Sequence, residues 1–204
     1  MIETPPLYRR VLGTRFDVLP PQVRAMHEVT DRHEAHGLCR IDRGQHPLAR
    51  LIACLFRFPP AGADVPVIVR FTVEKGREIW RRDFAGSVLV SIQEAPAGIA
   101  PGMLVERFGP FSFALAVPAG PAGLSLEPKR MWCCGVPLPK ALLPRIEAAE
   151  SVVDGRFRFD VRLAMPWVGL LVHYRGHLTP VGDSSGSGAT ACANAVTGPS
   201  GIDS

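Results

Sequence analysis

Lysine is scarce in this chain. Lys75, Lys129 and Lys140 are the only ones, so arginine carries nearly all of the positive charge behind a formal net charge of +4. The arginines are scattered, not gathered into the stripe that marks a nucleic-acid footprint, and no nucleic-acid partner is predicted. Cysteine is sparse too: Cys39, Cys54, Cys133, Cys134 and Cys192 make an odd set with no CxxC spacing. That excludes a disulfide framework and a zinc ribbon, and it points to a reducing, cytoplasmic compartment. Long apolar runs are missing. The longest, 163–172, is broken by Pro166 and Gly169 and is too short for a transmembrane segment. The start, MIETPPLYRRVLG, lacks the basic-then-apolar layout of a signal peptide. No GxGxxG follows a strand, and there is no P-loop, GxSxG or HExxH. No cofactor, no metal and no hydrolase nucleophile are therefore predicted.

What is present is alternation. In 154–178, DGRFRFDVRLAMPWVGLLVHYRGHL, Phe157, Phe159, Val161, Leu163 and Met165 share one parity, and Arg156, Arg158, Asp160 and Arg162 the other. Strand side chains point alternately to opposite faces, so this is a half-buried antiparallel strand. The same period runs through 65–73 and 111–117, and further strands are predicted over 77–84, 87–93, 103–108, 124–132 and 146–153. Lys75-Gly76 and Asp154-Gly155 are hairpin dipeptides.

Before Asp64 the period is helical. Pro5-Pro6 and Pro20-Pro21 can open short helices, and Pro47 begins LARLIACLFRF, in which Leu48, Leu51, Ile52, Leu55 and Phe56 share a stripe. The prediction is a mainly β (α+β) protein: a curved antiparallel sheet or partly open barrel with two or three short N-terminal helices. The helix over 48–56 is expected to lay its stripe on the sheet as a lid or plug. Hydrophobic residues make up 47% of the chain, enough for one core. A single globular domain over 1–181 is expected, followed by a disordered tail over 182–204, GDSSGSGATACANAVTGPSGIDS, which has little to bury.

Six blocks carry a family resemblance: LYRRVLGTRFDVLPP, PLARLIACLFRFPPAG with DVPV after it, REIWRRDF, LVERFGPFSFAL, GVPLPKALLPRIEAAE, and the strand segment above. In this order and spacing, over 7–180, they resemble the bacterial domain of unknown function 4166 family. The resemblance implies no activity. Similar domains are appended to nucleotide-dependent reductase-like or epimerase-like proteins, which implies a reductase-type partner for this chain.

The aromatic parity is the first candidate site. Phe71, Phe111, Phe113, Phe157 and Phe159 would face inward and line a pocket for a small hydrophobic ligand, or simply fill a core. Arg50, Arg57 or Arg82 at its rim would suit a carboxylate or phosphate head group. The second is a catalytic set, Glu106 with Arg82 or Tyr174. It requires the strands of WRRDF and LVERFGP to bring their charges together, the alternative being a structural ion pair. The third is the Arg156, Arg158 and Arg162 stripe, which could meet an acidic partner or a membrane surface. His173 and His177 lie about 13 Å apart on a strand and cannot share a metal. His27, His33, His36 and His46 are read as solvent-exposed. The adjacent Cys133 and Cys134 have no His context that would make either a nucleophile. The non-catalytic ligand-binding module is the reading the sequence favours.

Overall fold

The computed structural model describes residues 4–181. The tail predicted over 182–204 lies outside the described residues. Pro6 leads into α1 (Leu7–Leu12), which runs into a 3-10 turn (Gly13–Phe16), and Pro21 is the first residue of α2 (Pro21–His27). β1 (Arg32–Arg43) follows. Next comes α3 (Pro47–Leu55), capped by the His46 ring, whose Nδ1 accepts the Leu48 N–H at 3.2 Å.

The rest of the chain is strand: β2 (Gly62–Glu74), β3 (Arg77–Phe84), β4 (Ser87–Glu94), β5 (Met103–Phe108), β6 (Phe111–Ala116), β7 (Ala119–Gly120), β8 (Gly123–Cys133), β9 (Val136–Pro137), β10 (Arg145–Val153), β11 (Arg156–Met165) and β12 (Gly169–Pro180). Left-handed backbone at both Asp154 and Gly155, φ 52° and 72°, makes the tight turn between β10 and β11.

Ten strands join edge to edge in the order β1-β2-β3-β4-β5-β6-β8-β10-β11-β12, and β12 pairs back onto β1. The predicted curved antiparallel sheet thus meets its own edge and becomes an up-and-down barrel. The two-residue strands β7 and β9 sit beside β8. The β4–β5 seam is the shortest of the ring, with Ile92, Gln93 and Glu94 facing Arg107, Glu106 and Val105.

One end of the barrel is stopped by the N-terminal segment. Leu7, Tyr8, Val11, Leu12, Phe16, Val23 and Met26 are all buried there. Arg10 donates to the Gly76 carbonyl and Gln22 to that of Gly155, tying the segment to two hairpins. The plug is therefore α1 and α2, and the expectation for the helix over 48–56 needs correction. α3 packs against β12 with Ala49 and Ala53 buried and keeps Ile52 and Phe56 half-buried, but Leu48, Leu51 and Leu55 are exposed. Two small alanines let the helix approach the sheet closely, and this turns the leucine stripe outward.

Candidate functional site

An eight-stranded barrel is about filled by its own side chains, and a wider one leaves room inside. Here the interior holds a cavity of about 450 Å³. Inward parity supplies its walls: Trp80, Arg82 and Phe84 from β3, Leu89 and Ser91 from β4, Glu106 and Phe108 from β5, Phe111, Phe113 and Leu115 from β6, and Phe157, Phe159, Val161 and Leu163 from β11. Phe71, Phe111, Phe113, Phe157 and Phe159 all line it. Phe71 and Phe157 are buried in the packed part of the wall, whereas Phe111, Phe113 and Phe159 are half-buried. An inward-facing phenylalanine that keeps some accessible surface marks hollow space and not a filled core.

The wall is apolar except for Tyr174, for Glu150, which pairs with His27, and for one cluster. Arg82 Nη1 donates to Ser91 Oγ at 2.9 Å, and Nη2 lies 3.6 Å from Glu106 Oε1. The guanidinium also sits over the Trp80 ring, 4.8 Å from its centroid. Gln93 Nε2 donates to the same Glu106 oxygen at 3.3 Å, and the Tyr8 hydroxyl donates to Gln93 Oε1 at 2.9 Å.

Arg82 and Glu106 meet although their strands are not neighbours. They reach across β4, on which the small Ser91 leaves room. Tyr174 lines the same cavity from β12, its ring edge-on to Phe84 at 5.2 Å and tilted to Phe159 at 6.2 Å. Burial raises the pKa of its phenol, with Arg82 opposing and Glu106 adding to the rise. It is therefore a neutral hydroxyl within electrostatic reach of both charges, and among the described residues it has no hydrogen-bond partner. Glu106, Arg82 and Tyr174 thus all line the cavity, the pair from β5 and β3 and Tyr174 from β12 on another part of the ring.

Beneath this cluster lies a polar layer that sequence reasoning missed. His27 is fully buried, stacked on Tyr8 at 3.8 Å between centroids, and its Nε2 lies 2.5 Å from Glu150 Oε2. This corrects its reading as a solvent-exposed histidine: α2 carries it into the barrel end. Glu78 is buried as well, accepting from Trp80 Nε1 at 3.0 Å. Burial raises its pKa, with His27 opposing. The available signal was parity. Ser91 and Gln93 share a face that alternates with Val88, Val90 and Ile92, and the polar face is the one that points inward.

The remaining sequence candidates lie elsewhere. Arg156 and Arg162 are exposed on the outer face of β11, and Arg158 is half-buried there. His173 pairs with Asp160 at 2.8 Å and His36 with Glu34 at 2.6 Å. Of the rim arginines, Arg50 and Arg57 are exposed by the mouth, but Arg82 is inside. Among the described residues, no three His, Cys, Asp or Glu side chains gather to hold a metal ion, and no helix is long and apolar enough to cross a membrane.

A family model described as a domain of unknown function (DUF4166) matches residues 19–178, which takes in all ten strands of the ring up to Leu178 and leaves α1 outside. No curated protein and no solved structure matches the chain. With most of its length covered by that model, the chain belongs to the DUF4166 family.

Proposed function

We propose that the barrel binds one small, largely apolar molecule that carries a neutral polar group, a hydroxyl or a carbonyl. The observation that carries this reading is a cavity of about 450 Å³ whose largely apolar wall is interrupted by few polar side chains, the Arg82–Ser91–Glu106 cluster with Tyr174 and Glu150. Pockets for small molecules have this volume range and this sparse, convergent polarity.

The nature of the polar group follows from charge. Arg82 already faces Glu106 inside the barrel, so the cluster is formally neutral. A carboxylate or phosphate on the ligand would add an uncompensated buried anion, which is costly. This replaces the acidic head group expected when Arg82 was placed at a rim. A hydroxyl can donate to Glu106 and accept from Arg82 or Tyr174, and a carbonyl can accept from the same donors. A hydroxyl–carbonyl pair is also what a reductase-type partner, implied by the family resemblance, would interconvert.

The test is calorimetry and thermal shift with medium-chain ligands matched in length: an alcohol, a methyl ketone and a carboxylic acid. The alcohol or ketone should raise the melting temperature in proportion to ligand concentration, as binding to the folded state requires. The acid should bind more weakly by about tenfold or more, a difference of about 1.4 kcal/mol. In the paired variant Arg82→Met/Glu106→Leu, which removes both charges together, the preference for alcohol over plain alkane should disappear. Tightest binding of the acid, or no binding across the series, overturns the proposal.

A further inference from the structure

The cavity runs toward the barrel end opposite the plug, and the four most exposed large apolar side chains among the described residues, Trp167, Leu55, Leu51 and Val136, lie at that end. Leu51 and Leu55 on α3 are 65% and 74% exposed, and Trp167, in the turn between β11 and β12, is 93% exposed. Leu48, Val136 and Leu142 are exposed beside them. These segments are adjacent. Gly44, just before α3, donates its N–H to the Leu171 carbonyl of β12, and Phe56, just after α3, packs on Phe108 and Phe111 at the turn between β5 and β6. Leu142 lines the cavity while remaining exposed, and Ile52 and Phe56 line it from the inner side of α3. The apolar surface is therefore continuous from the cavity wall to the outermost tips.

Charge tells which partner fits. Of the connections at this end, 44–63, 134–146 and 165–172 contain Arg50, Arg57, Lys140 and Arg145 and not one Asp or Glu, and the turns at 85–86 and 109–110 carry no charge; the flanking acids are Asp42, Asp64, Asp83 and Glu147, on the strands. All four cations are exposed, and among the described residues none has an ion-pair partner. An apolar tip of Leu and Trp ringed by unpaired cations matches a bilayer with anionic head groups. Trp prefers the interfacial depth, an amphipathic helix lies in the interface plane with its apolar face down, and Arg and Lys beside it are drawn to the negative surface. A protein partner would need a complementary concave apolar surface, whereas a bilayer receives separate protruding side chains without one.

We propose that the mouth of the barrel docks on an anionic lipid bilayer through α3 and the Trp167 turn, with the cavity opening toward the lipid. The docking goes beyond the proposed ligand binding and does not depend on it. Vesicle binding is measured on protein without added ligand, and ligand binding without vesicles, so either can fail alone.

The experiment is co-flotation with vesicles of phosphatidylcholine, with and without phosphatidylglycerol. Wild-type protein should partition to the anionic vesicles about tenfold or more better than to the neutral ones, and added salt should release it. Leu51→Ser/Leu55→Ser and Trp167→Ala should each lose most of this binding, as should Arg50→Glu/Lys140→Glu. All these positions are exposed, and unchanged circular dichroism confirms folding. Val90→Ser/Val153→Ser, which removes exposed valines from the strands, should bind as wild type. The proposal is overturned by equal partitioning to both vesicle types, by loss in the valine control equal to that of the leucine variant, or by sedimentation showing a dimer that Leu51→Ser/Leu55→Ser abolishes.

Discussion

Tyr8 and Tyr174 are the only tyrosines in the chain; Tyr8 is buried in the plug against Gln93, and Tyr174 lines the cavity from β12. Burial raises both phenols above their ordinary value, Tyr8 well above it, with Glu150, Glu78 and Glu106 adding to the effect on Tyr8. A raised pKa means that the folded state holds the proton more tightly than the unfolded state does. The associated stability is fully present below the unfolded phenol pKa of about 10 and is lost as pH rises through the folded values. Phenolate absorbance should therefore stay near zero as pH passes 10, then appear for both tyrosines in one cooperative step with alkaline unfolding. A separate titration of one tyrosine near pH 10 in folded protein would place that phenol in water. The residue scale is also where the sequence was least legible. Nothing in PQVRAMH separates a buried, stacked His27 from a surface one, because its partners Tyr8 and Glu150 lie 19 and 123 residues away.

At the scale of elements, alternation was a sound guide to where strands run and an incomplete one to which face is inside. The boundaries of β3 and β5 follow from the pattern alone. On β4, Val88, Val90 and Ile92 look like the buried face, yet Val90 is exposed and Leu89, Ser91 and Gln93 are buried, with Glu94 buried at the strand's end. The polar pair points in because Arg82 and Glu106 need partners there. A similar inversion left the leucines of α3 outside.

Closure of the ring between β1 and β12 depends on a close approach that no local pattern reveals. A Cβ on Gly37 would overlap the His177 carbonyl of the facing strand, and one on Gly176 would crowd Leu38 and Cys39. Gly37→Ala should thus cost about 3 kcal/mol or more, the upper range for single substitutions, because only backbone can move away. Gly120→Ala, where a Cβ meets nothing and φ is not left-handed, should stay within about 0.5 kcal/mol of wild type in urea titration. Equal midpoints for the two variants would mean that the strands do not approach this closely.

Across the whole molecule, burial forms a gradient from plug to mouth. At the closed end, α1 and α2 contribute Leu7, Tyr8, Val11, Leu12, Val23, Met26 and His27 to the interior. At the open end, α3 buries only two alanines, and the 3-10 turn Lys140–Leu142 buries none of its residues. The architecture has the same origin. Hairpin by hairpin the sheet is local and readable, but the seam between β1 and β12 joins residues 35–43 to 172–180, and ten strands enclose more volume than the inward side chains fill.

Local opening free energy follows buried apolar contact, so the mouth should open far more often than the barrel as a whole. Amide hydrogen exchange should show weak protection across α3 and 134–144, and protection near the global unfolding limit in β1, β2 and β12. Ile52, Phe56 and Leu142 line the cavity at the mouth, so a ligand of the proposed kind would touch them as well as the polar cluster and would hold those segments closed. Addition of a binding alcohol should then slow exchange in α3 and 134–144 by a larger factor than in β1 or β2. Protection that is uniform around the molecule, or that rises only at the plug on ligand addition, would mean that molecules enter past α1 and α2 and not between α3 and the turn at Trp167.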